Sequence, residues 1–283
     1  MTDRTFVLLR KTVFAIITML LSAGALLAQQ GEGPLDPSPP KGISPEEIIQ
    51  KFAAREAEFK KARDDYTYRQ SVKVQEMDGD TPDGEYSYVV DILFDDKGKR
   101  IENVVNAPQP TLKRISMSRE DFDDIEKRLP FVLTTVEIPD YNIKYVGQQT
   151  EDELQTYVFD VSPKKIEKNR RYFDGRIWVD NHDFQIVKSY GKNIPDYHSG
   201  GNENLFPSFT TYREQIDGQY WFPTYTKVDD TLHFKSGDVH IRQIVKYFNY
   251  KRFGSKSKII YQGQELPENQ KPQTPSPPPP QPK

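Results

Sequence analysis

"NRRYFDGRIWVDNHDFQIVKSYGKN", residues Asn169 to Asn193, reads as a β-hairpin: two alternating runs joined by the turn formers Asn181-His182-Asp183. Ile177 and Val179 fall on one face of the first run and Trp178 on the other, while the second run sets Phe184, Ile186 and Tyr190 opposite Val187. Apolar groups on both faces mean that each side of this hairpin needs a cover. The question it poses is whether those faces are ordinary core or the wall of a site.

The same period of two extends outward in both directions. In "YTYRQSVKVQEM" (Tyr66 to Met77) the even positions Tyr66, Tyr68, Val72 and Val74 are apolar, and Arg69, Ser71, Lys73 and Gln75 occupy the other face. After the turn-rich Asp78 to Gly84, Tyr86, Tyr88, Val90, Ile92 and Phe94 repeat the pattern, and Asp96-Lys97-Gly98 turns the chain into Arg100 to Asn106. Further strands are expected over 142–149, 154–161, 170–180, 184–192, 209–216, 219–228, 231–234 and 239–250. Most are separated by hairpin-length turns, so the neighbours should be antiparallel. The exception is "NIPDYHSGGNENLFP" (Asn193 to Pro207), a long irregular loop of the kind that is usually functional or mobile.

Two helices interrupt the strands. Ser44-Pro45-Glu46-Glu47 combines an N-cap serine, proline in the first turn and a capping-box glutamate. The helix it starts should run to about Arg63 with Ile48, Ile49, Phe52, Ala53 and Phe59 as its apolar stripe. A second fits Ser118 to Leu129, weakly capped by Ser118 and Asp121, lined by Phe122, Ile125 and Leu129, and stopped by Pro130. Its acidic run Glu120, Asp121, Asp123, Asp124 complements the helix dipole and is expected to be solvated rather than to bind metal. No strand-helix alternation points to a parallel sheet, so the fold class is mainly β, or α+β by a looser label.

Both ends differ in character from this body. Met1 to Gln30 has a basic start (Arg4, Arg10, Lys11), an apolar stretch from Thr12 to Leu27 and small residues ending at Ala28, the layout of a secretory signal peptide cleaved near Ala28. The expected division is a signal peptide at 1–28, a disordered linker at 29–42, one domain at 43–266 and a Pro-rich disordered tail at 267–283. The chain has no cysteine, so neither a disulfide framework nor a lipid-acceptor thiol exists. Its formal charge is -3 over 283 residues and no basic stripe stands out, which argues against nucleic acid as a partner.

Chemistry is hard to find in the sequence. The four histidines His182, His198, His233 and His240 lack helical metal-ligand spacing, and no serine sits in a nucleophile elbow. Acidic pairs such as Asp64-Asp65, Asp95-Asp96 and Asp229-Asp230 fall at expected strand ends, where turns favour aspartate. A spatially assembled carboxylate pair, as in a secreted hydrolase, stays open as the least favoured reading. No catalytic residue, cofactor or metal site is assigned, and the protein is not expected to be an enzyme.

Aromatic residues make up 12% of the chain, many at one-face strand positions. A sheet of nine or ten strands presents about 1,200 Å² per face, of which two helices cover at most about half. Such a sheet must curl on itself, fold into two layers, or keep an apolar cleft for a guest.

Here the residues carry a family likeness. "YNIKYVGQQTEDELQTYVFDVSPKK" (Tyr141 to Lys165) followed by "RYFDGRIWVDNHDFQIVKSYGK" (Arg171 to Lys192) resembles the periplasmic lipoprotein carrier and outer-membrane lipoprotein-sorting (LolA-like) family. The shared signature is a strand ending in glycine, a hairpin, a strand ending near Pro-Lys, an aromatic-containing "IWVD" strand and a turn into "QIVK". The resemblance implies an unclosed antiparallel half-barrel of about eleven strands with a helical lid over an apolar cavity. It also implies a carrier for the acyl chains of a lipoprotein or lipid, working between an inner-membrane donor and an outer-membrane acceptor. The wall would be Tyr66, Tyr68, Tyr86, Tyr88, Val90, Ile92, Phe94, Tyr157, Phe159, Trp178, Tyr190, Tyr212 and Trp221, and the lid Ile48, Phe52, Phe59, Phe122 and Ile125. The same fold also serves envelope sensors that bind a protein partner, and the long loop and Pro-rich tail depart from the carrier pattern.

Overall fold

The computed structural model describes residues 32–95, 99–168, 170–199 and 202–252. The expected signal peptide and the stretch from 253 onward, Pro-rich tail included, lie outside the described residues. Among the described residues there are two α-helices, α1 (Pro45–Ala62) and α2 (Arg119–Lys127). The strands are β1 (Tyr66–Asp78), β2 (Thr81–Phe94), β3 (Arg100–Asn106), β4 (Tyr141–Glu151), β5 (Leu154–Pro163), β6 (Tyr172–Asp180), β7 (Ile186–Ile194), β8 (Tyr197–Ser199), β9 (Asn202–Asn204), β10 (Phe209–Gln215), β11 (Trp221–Phe234) and β12 (Gly237–Arg252).

Ten strands form one antiparallel sheet in the order β3-β2-β1-β12-β11-β10-β7-β6-β5-β4, and β8 and β9 form a separate small ribbon. The two edge strands, β3 and β4, do not pair with each other, so the sheet is an unclosed half-barrel. Both helices lie on one face of it, here the inner face. Among the described residues no helix is long and apolar enough to cross a membrane.

The alternation read from the sequence sets the faces. Val72, Val74, Ile177, Val179, Ile186, Val245 and Tyr247 join one core with Ile48, Phe52 and Ala53 of α1. Val158, Trp178 and Val187 form a second cluster on the far face, with Trp221 packed beside it. The hairpin therefore does have covers on both sides, one helical and one made by its own neighbours.

Three expectations change. The sequence places Asp229-Asp230 at a strand end, yet β11 runs through it, paired with Arg242 and Ile241 of β12. Aspartate is unfavourable in a strand, and here both side chains are satisfied: Asp229 by His240 and Arg242, Asp230 by the backbone N–H of Ser208. The turn before β2 is also shorter than Asp78 to Gly84, since pairing resumes at Thr81. Finally, the linker segment is extended but not free. Gly33 donates to Thr150 and Asp36 exchanges two backbone hydrogen bonds with Gln148, so the chain covers the β4 edge. Gly147 permits this, because a Cβ there would lie 2.4 Å from the Asp36 carbonyl oxygen.

Candidate functional site

Helix α1 starts as its sequence requires, with Ser44 and Glu47 forming a complete capping box. It then buries Ile48, Phe52 and Phe59 fully against the sheet. The Phe52 ring lies 5.8 Å from Phe159, and Phe59 lies 5.2 Å from Phe222. At its centre the buried Glu56 carboxylate accepts from the Arg213 guanidinium of β10 at 2.8 and 3.2 Å. Burial pushes the Glu56 carboxyl above the usual range, although Arg213 opposes that shift. Under α1 the inner face is filled.

Helix α2 behaves differently. Its cap is stronger than expected: Ser118 and Asp121 complete a reciprocal capping box at 3.2 and 2.7 Å. Phe122 meets the edges of Tyr86 and Tyr88 at 5.7 and 6.0 Å, joining a lid candidate to two wall candidates in direct contact. The acidic run is not uniformly solvated. Asp124 is buried and ion-paired to Arg128 and to Arg171, the latter at 2.6 Å.

Beside α2 lies a cavity of about 700 Å³. Its floor is the inner face of β1, β11 and β12, through Val74, Leu232, Phe234, Ile241 and Gln243. Ile125 and Leu129 form one wall, the segment Arg114 to Ser118 a second, and Tyr197 with Glu203 to Pro207 a third. The lining is apolar below and polar at the rim, where Glu120, Asp121, Glu203 and Arg114 gather.

Two buried charges hold the movable-looking walls. Glu76, at an inward position of β1 and fully buried, accepts the backbone N–H groups of Lys113, Arg114 and Ile115 at 3.0, 2.7 and 2.7 Å. The segment crosses β2 at Gly84, where a Cβ would lie 2.7 Å from the Thr111 carbonyl oxygen. On the other side, Arg171 binds the Asn204 carbonyl at 3.1 Å and lies over the rings of Tyr197 and Phe206. With its bond to Asp124 it ties the 193–207 loop to α2. Glu203 adds a bond from the Lys235 backbone N–H, and Asp196 accepts from Phe206 N–H. The loop read as irregular thus contains the β8-β9 ribbon and is anchored at several points.

The residues singled out in the sequence divide into three groups. Tyr66, Tyr68, Val90, Ile92, Phe94, Tyr157 and Phe159 are inner-face core; Tyr66 is packed with Phe59 and Phe222, and Tyr68 with Tyr247 and Tyr250. Tyr86 and Tyr88 sit under Phe122. Trp178, Tyr190, Tyr212 and Trp221 are on the far face, which corrects their assignment to the inner wall. Trp178 and Trp221 belong to the far-face cluster and bond Gln149 and Asp183; Lys188 lies over Trp178 and Tyr212, and Tyr190 is exposed. Pairing of Trp178 with Lys188 and of Lys188 with Tyr212 fixes this parity. None of the thirteen wall candidates lines the 700 Å³ cavity, and of the lid candidates Ile125 does. Sequence reasoning missed Glu76 and Arg171. Glu76 was signalled by a charged residue falling on an inward even position; Arg171, just outside a strand, carried no such mark.

No protein-family model matches the chain, and no curated protein matches its sequence. Among solved structures, a LolA superfamily protein from Nitrosomonas europaea matches at 17% identity, covering 75% of this chain and 95% of its own, with a TM-score of 0.34. A DUF1329 family protein from Desulfovibrio piger matches at 13% identity over 74% and 94%, TM-score 0.37. The complex structure of Pseudomonas aeruginosa MucA/MucB matches at 9% identity over 69% and 94%, TM-score 0.20.

Proposed function

We propose that this protein is a binding protein of the cell envelope that shelters an acyl chain of a lipid or lipoprotein in the cavity beside α2. One observation carries the proposal: on a sheet face otherwise filled by its own helix, an apolar floor is left open to about 700 Å³. That volume lies within the range of ligand pockets, roughly 300 to 1,000 Å³. Each methylene buried is worth about 0.8 kcal/mol, so a chain of about 16 carbons supplies on the order of 10 kcal/mol before ordering costs. Export through the leader, a periplasmic location, and a membrane donor and acceptor belong to the same proposal.

The polar rim favours one second reading, an interaction module in which an amphipathic protein segment lays its apolar side on the floor. Native mass spectrometry of the protein recovered from its own envelope separates the two. Co-purifying acylated species support the carrier. A protein emptied of lipid that fails to bind a fluorescent acyl probe, yet retains a peptide, sinks it.

A further inference from the structure

Strand β12 sets one amide among the apolar residues of its inner face. Val239, Ile241, Gln243, Val245 and Tyr247 alternate along it and all are buried. Gln243 pairs with Val74 on one side and Val228 on the other, both buried as well. It is 7% exposed and belongs to the floor of the cavity beside α2. A leucine here would simply continue the floor, whereas an amide must be taken out of water and needs a hydrogen-bond partner in return.

The protein supplies none. Among the described residues no hydrogen bond reaches the Gln243 side chain. Gln185, the buried glutamine at the start of β7, shows the ordinary arrangement: its Nε2 donates to the Gln219 carbonyl at 2.9 Å and its Oε1 accepts from the Trp221 backbone N–H at 3.2 Å. The polar groups of the cavity walls are engaged elsewhere. Asp124 holds Arg128 and Arg171, Glu203 holds His198 and the Lys235 N–H, and Asp121 accepts from Asn204. A buried polar group without a protein partner, facing a cavity, points to a partner on the ligand.

The amide presents a donor at Nε2 and an acceptor at Oε1. An ester or carboxylate oxygen satisfies only the donor, and an unsubstituted hydrocarbon satisfies neither. A hydroxyl both accepts and donates, so a single group answers both halves of the amide. Solvent can do the same in the open cavity, but an unsubstituted chain drives that water out without replacing its hydrogen bonds, which lowers affinity. Resting on the acyl-binding reading above, we propose that the chain held in this cavity is a hydroxylated one and that Gln243 recognises its hydroxyl.

Isothermal titration of the full, delipidated chain tests it, using hexadecanoic acid and its forms hydroxylated near the carboxyl, at mid-chain and at the far end. At least one hydroxylated acid should bind about tenfold more tightly than hexadecanoic acid. Gln243→Leu should erase that preference and bind hexadecanoic acid more tightly than the native chain does, with a thermal midpoint equal to or above the native one. Gln243→Met, which keeps the length of the side chain and loses the amide, should behave in the same way. Hexadecanoic acid bound as tightly as every hydroxylated form, or a preference that survives both substitutions, would overturn the hydroxyl inference and leave the acyl-binding reading standing. A native chain that binds none of these acids would overturn both.

Discussion

Helices α1 and α2 rest on the same face of the same sheet, and the difference between them shows what makes a lid. Helix α1 is eighteen residues long and drives a full apolar stripe into the sheet, with one buried ion pair at its centre. Helix α2 has nine residues and buries only Asp124 and Ile125. Its position depends on contacts at its ends and flanks: Phe122 on two tyrosines, Asp124 on Arg171, and the preceding segment on Glu76. A helix held by area cannot leave without exposing a core. A helix held by a few polar ties can shift while the core stays intact.

The largest predicted effect breaks the sealed half. Arg213→Leu leaves the Glu56 carboxylate buried without its counterion and should cost about 3 to 5 kcal/mol in denaturant unfolding. Adding Glu56→Leu removes the orphaned charge and should recover much of that loss. If the single variant is near neutral, α1 is not locked as described.

Next comes the strap. Glu76→Gln replaces a carboxylate that accepts three backbone N–H groups with a side chain whose amide opposes at least one of them. The expected cost is about 1.5 to 3 kcal/mol, with faster hydrogen exchange confined to residues near 111–118. Exchange that rises equally in α1 would contradict the separation of the two halves. Arg171→Gln should have a smaller thermodynamic effect, about 1 to 2 kcal/mol, because Asp124 keeps Arg128. Its signature should be kinetic, with an acyl probe leaving the cavity faster while α1 exchange stays unchanged. An unaltered release rate would show that the 193–207 loop does not gate the cavity.

These contrasts also explain what the sequence made legible. The cap at Ser44, the stripe of α1 and the strand parity of Tyr66 to Val74 depend on neighbours a few residues apart, and the structure repeats them. Trp178 and Tyr212 were misplaced because an aromatic in a strand advertises burial without saying on which face, and the far face has its own cluster with the Lys188 stem laid over it. The cavity was not locatable for a different reason. Its walls are set by contacts between residues far apart in the chain, Glu76 with Ile115 and Arg171 with Asp124, which no local period encodes. Asp229-Asp230 failed similarly, since the partners that make a strand tolerable there lie on β12 and beyond β9.

The smallest effect sharpens the sealed half by its response to pH. Tyr66 packs between Phe59 and Phe222 and donates to Asp217. Burial first, then the Asp217 carboxylate, raises its hydroxyl from the usual value to about 12. Burial also raises Tyr68, Tyr247 and Tyr250 on the same side of the sheet. A hydroxyl whose folded value lies above its unfolded one, about 10, adds stability that is fully present below pH 10 and is lost as pH climbs toward 12. Alkaline unfolding should therefore fall in that window, with tyrosinate absorbance and loss of sheet structure appearing together. Tyr66→Phe gives up a hydrogen bond worth about 1 kcal/mol at neutral pH but has no proton to lose. Its stability should fall less steeply than that of the native chain between pH 10 and 12. Parallel curves for the two proteins would mean that Tyr66 ionises without unfolding, and that the face beneath α1 is less tightly sealed than its packing implies.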